Sequence, residues 1–273
     1  MDKIKLSHGG GGIDSRNLID SIVAILGNPI LNSLEDSAIF EFPHEKLAFT
    51  TDGFVVKPIF FPGGDIGKLA VCGTINDLSV MGARPLALSL SLIVEEGFPK
   101  TDLEQILYSI KETAGDVPIV TGDTKVVERG SADGIFITTT GVGAQLQGAK
   151  PSASRIEPGD FFIISGSIGR HGAAIMAKRE ELGFSSELIS DVANLSSMLI
   201  PLFEKFGVDI KTCRDVTRGG LAAIISEFAH SSDVGVEIHE EKIPVDSDVS
   251  GICAALGIDP LTLACEGKSA ARG

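Results

Sequence analysis

Apolar residues along the chain fall into two kinds of repeat, and these alternate. Over 14–26 they return every three or four places (Leu18, Ile19, Ile22, Val23, Leu26), which puts them on one helix face, and Gly27 supplies a stop. Residues 47–51 form a short apolar strand that ends at Asp52. Leu86, Leu88, Leu90 and Leu92 occupy alternate positions, the pattern of a half-buried strand. Thr101-Asp102-Leu103-Glu104 has capping-box spacing and opens a helix carrying Leu103, Ile106, Leu107 and Ile110, with Gly115 as its stop. Further strands are predicted over 117–121 and 135–139.

The second half repeats the theme. A strand over 161–165 runs into Gly166-Ser167-Ile168-Gly169-Arg170-His171-Gly172 and a helix from Ala173. Helices are predicted over 192–206 and 219–230, and short strands over 234–238 and 261–264. The mixture predicts an α/β (α+β) fold. Residues 145–159 are polar, contain Pro151 and Pro158 and lack apolar periodicity, so a boundary near Pro151 divides domains 1–150 and 151–273. A strand at 261–264 finds little sequence to continue into. The second domain is therefore expected to be incomplete, and the small, polar run 269–273 reads either as natural sequence or as a foreign tail.

Composition narrows the function. At 43% apolar and 22% charged the chain is a folded protein, and 273 residues suit one large domain or two. A net charge of −14 argues against nucleic acid and anionic membrane surfaces as partners, because both need a basic face. An anionic ligand such as a nucleotide then needs a divalent metal held by Asp residues. The 32 glycines point the same way, because they let main-chain N–H groups approach phosphates. Cys72, Cys213, Cys253 and Cys265 form no C-x-x-C pair and read as buried thiols. With no leader-like N-terminus and no apolar run of about 18 residues, a cytoplasmic protein is expected.

The most informative residues are aspartates beside apolar segments: Asp36, Asp52, Asp77 and Asp123. Any one of them reads equally as a turn or cap residue. Together they could converge on Mg2+, which usually arrives with phosphates. Asp77 stands inside the apolar run 70–81, where a carboxylate is costly unless it binds metal or pairs with Arg84 or Lys68. Lys125, two residues past Asp123, could reach a phosphate or the reacting group, or be a solvated loop lysine. Gly9, Gly10 and Gly11 precede the first helix, and Thr217, Arg218, Gly219 and Gly220 precede another; both are anion-site candidates or simply mobile arms. Gly63-Gly64-Asp65-Ile66-Gly67-Lys68-Leu69 fails as a phosphate-binding P-loop, because Pro62 and Leu69 break the pattern. His8, His171 and His239 lack metal-ligand spacing, and no nucleophile elbow is present.

Several longer runs carry a resemblance. They are Thr51-Asp52-Gly53-Phe54-Val55-Val56-Lys57-Pro58, the stretch 61–69, Gly73-Thr74-Ile75-Asn76-Asp77-Leu78, Thr121-Gly122-Asp123-Thr124-Lys125-Val126-Val127 and Arg214-Asp215-Val216-Thr217-Arg218-Gly219-Gly220-Leu221. Over about residues 4–268 the chain resembles the HypE family of hydrogenase maturation proteins. That family lies within the ATP-binding group of aminoimidazole ribonucleotide (AIR) synthetase, or PurM-like, enzymes, with selenophosphate synthetase and thiamine monophosphate kinase. The resemblance implies two α/β domains, a homodimer made through the first, and ATP with Mg2+ as cofactors. It implies ATP-dependent dehydration of a carbamoylated C-terminal cysteine, a thiocarboxamide, to a thiocyanate. That group is received from the carbamoyltransferase HypF and passed on to iron on HypC–HypD, for the cyanide ligands of [NiFe]-hydrogenase. By matched position Asp36, Asp52, Asp77 and Asp123 hold Mg2+–ATP, with Asp77 also counted as catalytic. Lys125 stabilises the phosphorylated oxygen, and the glycine-rich segments meet phosphate. Glu266, in Glu266-Gly267-Lys268, accepts a proton or positions substrate, or is an ordinary strand-end carboxylate.

Proteins of that family run on for several dozen residues to a terminal Pro-Arg-[Ile/Val]-Cys, whereas this sequence closes on Arg272-Gly273, so self-cyanation is not expected of it. Two other readings stay open: an AIR synthetase-like enzyme with a small-molecule acceptor, and a non-catalytic nucleotide-binding maturation partner.

Overall fold

A computed structural model of the chain describes residues 3–9, 13–33, 42, 46–179 and 188–272. In chain order its elements are α1 (Ile13–Leu26), β1 (Leu47–Phe54), β2 (Phe60–Phe61), β3 (Gly64–Asp65), α2 (Ile66–Val80), β4 (Ala83–Glu95), α3 (Lys100–Ala114), β5 (Ile119–Val127), β6 (Ile135–Gln145), β7 (Ile163–Ile164), α4 (Arg170–Arg179), α5 (Ser196–Phe206), β8 (Thr212–Asp215), α6 (Gly220–Ser232), α7 (Ser247–Leu256) and β9 (Ser269–Arg272). The expected α/β (α+β) character is what the chain adopts. Its contacts separate into two units. The first is Met1–Val56, Asp65–Thr74 and Pro85–Ala144; the second is Lys57–Gly64, Ile75–Arg84 and Gln145–Gly273.

The first unit is built on a four-stranded sheet in the order β1-β6-β4-β5. β1 and β6 are antiparallel, with Leu47 opposite Ala144 and Asp52 opposite Thr139. β4 and β5 are parallel, with Ser91 beside Asp123 and Ile93 beside Lys125. Leu88, Leu90 and Leu92 are buried, as their alternation predicts, and the strand extends well beyond them at both ends. β1 and β5 likewise run on past the predicted strand ends, so Asp52 and Asp123 sit within strands. On α3 the stripe Leu103, Ile106, Leu107 and Ile110 is buried. The capping box is not used: Pro99 is the N-cap, and Thr101 lies inside the first turn. The helix starts early because the preceding chain is already anchored, with Ile4 N–H donating to Phe98 O (2.8 Å) and Phe98 buried.

α2 is apolar nearly all round, as suits a helix enclosed by core. From Leu69 to Val80 every residue is buried except Asp77. Asp65 starts this helix, its Oδ1 accepting from Gly67 N–H (2.8 Å) and Lys68 N–H (3.0 Å). In the run that mimics a P-loop, a carboxylate thus takes the N–H groups that a phosphate would need.

The second unit holds a three-stranded antiparallel sheet in the order β7-β9-β8. The small, polar run after Lys268 is not left as a loose tail. Ser269–Arg272 is the middle strand, with Ala271 opposite both Ile163 and Cys213. Small residues suit the place, since Ala270 packs into a core with Ile168, Val216, Leu221 and Phe228. Three expectations are corrected. Residues 261–264 are no strand: Pro260–Thr262 is a 3-10 turn, capped by Asp259 Oδ1 accepting from Leu261 N–H (2.9 Å). Residues 234–238 join no ladder. The helix expected over 192–206 begins only at Ser196; before it, the Leu195 N–H donates to Asn76 Oδ1 (2.8 Å) instead of continuing a helix backward. α7 was not anticipated, although Val249, Ile252 and Cys253 show the helical spacing.

Candidate functional site

In the first unit, Asp52 lies on β1 and is half-buried. It has a glycine for a neighbour on α2: a Cβ at Gly73 would meet the Phe54 ring at 2.8 Å and Asp52 Oδ2 at 3.7 Å. Asp123 and Lys125 sit two apart on β5 and so project from the same face. Lys125 Nζ donates to Asp123 Oδ1 at 2.7 Å, and the Thr124 N–H donates to the same oxygen at 2.9 Å. The pair is 63% and 57% exposed, so it adds little stability and leaves both charges open to a ligand. Asp123 also borders a groove of about 340 Å³ between α1 and the β4–β5 edge. Gly122 has a packing reason of its own, since a Cβ there would stand 2.5 Å from Leu90 O. Gly9 closes a short 3-10 turn, Leu6–Gly9. Asp36, Gly10 and Gly11 lie outside the described residues.

In the second unit, Asp77 is the one place between Leu69 and Val80 where α2 reaches toward solvent. Of the two cations weighed as its partner, Arg84 is engaged by Glu204. Thr217, Arg218, Gly219 and Gly220 lead into α6, where Gly219 (φ 77°) is an N-cap without any side-chain cap bond. Gly219 thus gives the helix no side-chain cap, and the Gly220 N–H donates to Thr217 O (2.9 Å); a helix start after glycines is a place where main-chain N–H groups can meet an anion. Gly220 (φ 62°) is buried against main chain, and a Cβ there would fall 2.4 Å from Leu261 O. Packing demands that glycine, whatever binds beside it.

Glu266 is half-buried on the segment before β9. Its N–H donates to Asp191 Oδ1 (3.2 Å), and its carbonyl accepts from Ala193 N–H (3.1 Å). Burial pushes the Asp191 carboxyl up, against opposing pulls from the Glu266 N–H and Lys268. Sequence reading passed over Asp191 and its neighbours because 192–206 scans as one helix; the polar residues at 190, 191 and 194 were the available sign.

The four thiols are buried, as expected. Burial pushes both Cys213 and Cys265 up to about 12, so neither supplies a thiolate near neutral pH. Among the described residues no three His, Cys, Asp or Glu side chains cluster as a metal site. Asp52, Asp77 and Asp123 nevertheless offer only carboxylate oxygens, the donors Mg2+ takes. No helix among the described residues is long and apolar enough to cross a membrane.

Known proteins bear out the resemblance. The N-terminal domain of AIR synthase related proteins matches residues 34–145, and the C-terminal domain of the same group matches 157–270. The carbamoyl dehydratase HypE of Rhizobium leguminosarum bv. viciae is 49% identical over 269 residues, which are 97% of this chain and 77% of that protein. A crystal structure of a hydrogenase maturation protein HypE in complex with ATP superposes with a TM-score of 0.95 at 45% identity, covering 98% of this chain and 80% of the other. A chain from a HypE–HypF complex matches with a TM-score of 0.82 at 47% identity, covering 96% and 84%. The chain belongs to the HypE family of AIR synthase related proteins.

Proposed function

We propose that this chain is an ATP-dependent carbamoyl dehydratase of [NiFe]-hydrogenase maturation, converting a cysteine thiocarboxamide to a thiocyanate. The reading is carried by likeness, across 98% of the chain, to a HypE crystallised with ATP. An amide oxygen is a poor leaving group, and ATP supplies the phosphoryl group that makes it a good one. In balance, ATP becomes ADP and the carbamoyl oxygen leaves within inorganic phosphate; the nitrogen loses two protons, one as the oxygen is phosphorylated and one as the phosphate departs, and carbon keeps the sulfur and gains the nitrile bond.

The residues divide the work as follows. Asp36, Asp52, Asp77 and Asp123 supply hard oxygen ligands to Mg2+ and so let a chain of net charge −14 accept a polyanion. Lys125 exchanges Asp123 for the oxygen on which charge develops, a short movement for an exposed side chain. Thr217, Arg218, Gly219 and Gly220 present the uncapped start of α6 to phosphate, and Gly9, Gly10 and Gly11 do so from the N-terminal segment. Glu266 takes the proton from nitrogen, and its main chain is held at both polar groups. Domains 1–150 and 151–273 share these residues. HypF is the carbamoyl donor and HypC–HypD the acceptor; co-purification with each reads those two pairings. The first domain forms a homodimer through its sheet, where β1 leaves Leu47 54% and Phe49 67% exposed.

Calorimetric titration tests the metal assignment. Asp77→Ala abolishes Mg2+–ATP binding; unchanged affinity in a folded variant would remove Asp77 from the site.

A further inference from the structure

Between Leu188 and Leu195 the chain runs without regular secondary structure through the second unit, yet Leu188, Val192 and Leu195 are buried. It behaves as a strap tied down along its length. At its far end Asn76 grips it twice: Nδ2 donates to Ala193 O (3.0 Å), and Oδ1 accepts from Leu195 N–H (2.8 Å). Asn76 is only 1% exposed and directly precedes Asp77 on α2. At the near end Ser190 N–H donates to Pro62 O (2.8 Å), and Ser190 Oγ bonds His171 Nδ1 (2.8 Å) and accepts from Val192 N–H (3.1 Å).

Between those anchors the strap holds Glu266. Asp191 Oδ1 accepts from the Glu266 N–H, and Ala193 N–H donates to the Glu266 carbonyl. The approach is as close as a main chain allows, since a Cβ at Gly267 would fall 1.8 Å from Asp191 O. No other residue fits at 267 without parting the two segments.

We infer that Asp191 is a positioning residue for dehydration, fixing the Glu266 main chain through a strap that Asn76 anchors beside Asp77. This rests on the reading of Glu266 as the proton acceptor. A carboxylate that must meet one N–H proton depends on placement, and displacement by about 1 Å costs on the order of 100-fold in rate. The main-chain bonds at Glu266 itself come from residues 191 and 193, while Lys268 O, two residues on, accepts from Val216 N–H (2.9 Å).

The test uses the full chain with ATP, Mg2+ and a peptide ending in S-carbamoylcysteine, and reads kcat, ATP affinity and hydrogen exchange at the Glu266 amide. Asp191→Ala lowers kcat about 10-fold or more, leaves ATP affinity unchanged and speeds exchange at Glu266. Asp191→Asn keeps the acceptor oxygen and restores most of the rate. In a Glu266→Gln background Asp191→Ala has no further effect, because its action passes through Glu266. Should Asp191→Ala not fold, Asn76→Ala releases the other anchor and carries the same expectations. An equal loss in the Glu266→Gln background, or unchanged exchange at Glu266, overturns the inference. If Glu266→Gln alone keeps the full rate, the proton-acceptor assignment fails instead, and the exchange measurement still decides whether the strap holds Glu266.

Discussion

His171 shows how one buried side chain sets a pH limit. Its ring packs edge-on against Phe61, with centroids 5.4 Å apart, and its Nδ1 is bonded to Ser190 Oγ. Burial pushes it down to about 4 from 6.5. As pH falls below 6.5 the unfolded chain therefore takes up a proton that the folded chain refuses, and stability drains away until about pH 4. Denaturant unfolding at about pH 7 and about pH 5 should show the wild type losing about 2 kcal/mol more than His171→Gln. Equal losses would mean that His171 takes up its proton as readily in the native protein as in the unfolded chain. Residues of this kind were hard to read from sequence. Asp77 stood out because a charge inside an apolar helix breaks a strong pattern, and it is where the buried run 69–80 is interrupted. Asp191 and Asn76 were not, because their partners lie 75 and 119 residues away, at 266 and 195.

At the scale of elements, local periodicity spoke clearly wherever packing is one-sided. The α3 stripe and the β4 alternation were both legible because each faces a core on one side and solvent on the other. β9 was invisible for the opposite reason. Its Ser-Ala-Ala-Arg run has the composition of a linker, and only a slot between two strands makes small residues useful. The strand expected at 261–264 failed because Pro260 and the Asp259 cap favour a turn more strongly than four apolar residues favour a ladder. β1 carries a prediction of its own. Its outward positions include Phe49, two-thirds exposed, on a strand whose other face packs inward. Phe49→Asp should convert a dimer to a monomer in sedimentation velocity, with the circular dichroism unchanged. A dimer that persists would place the interface elsewhere.

For the whole molecule, the charge and glycine content take on particular meanings. Within a net charge of −14, four of the acidic residues gain a proposed role in seating Mg2+. Gly220, which invited a phosphate reading, is required by main-chain packing, as Gly122 is. Others, such as Gly219 at the uncapped start of α6, stay open to an anion. Membership of the HypE family was legible because the runs that carry the resemblance are long and are spread along the chain, as are the two matched domains. The central claim concerns the fate of one oxygen atom, and an isotope follows it directly. A peptide ending in S-carbamoylcysteine, with heavy oxygen in the carbamoyl group, is incubated with the protein, ATP and Mg2+. The products are then weighed by mass spectrometry. A carbamoyl dehydratase that acts through phosphorylation puts the heavy oxygen into inorganic phosphate as the peptide becomes a thiocyanate. Heavy oxygen released as water, or thiocyanate formed without ATP, would contradict the account.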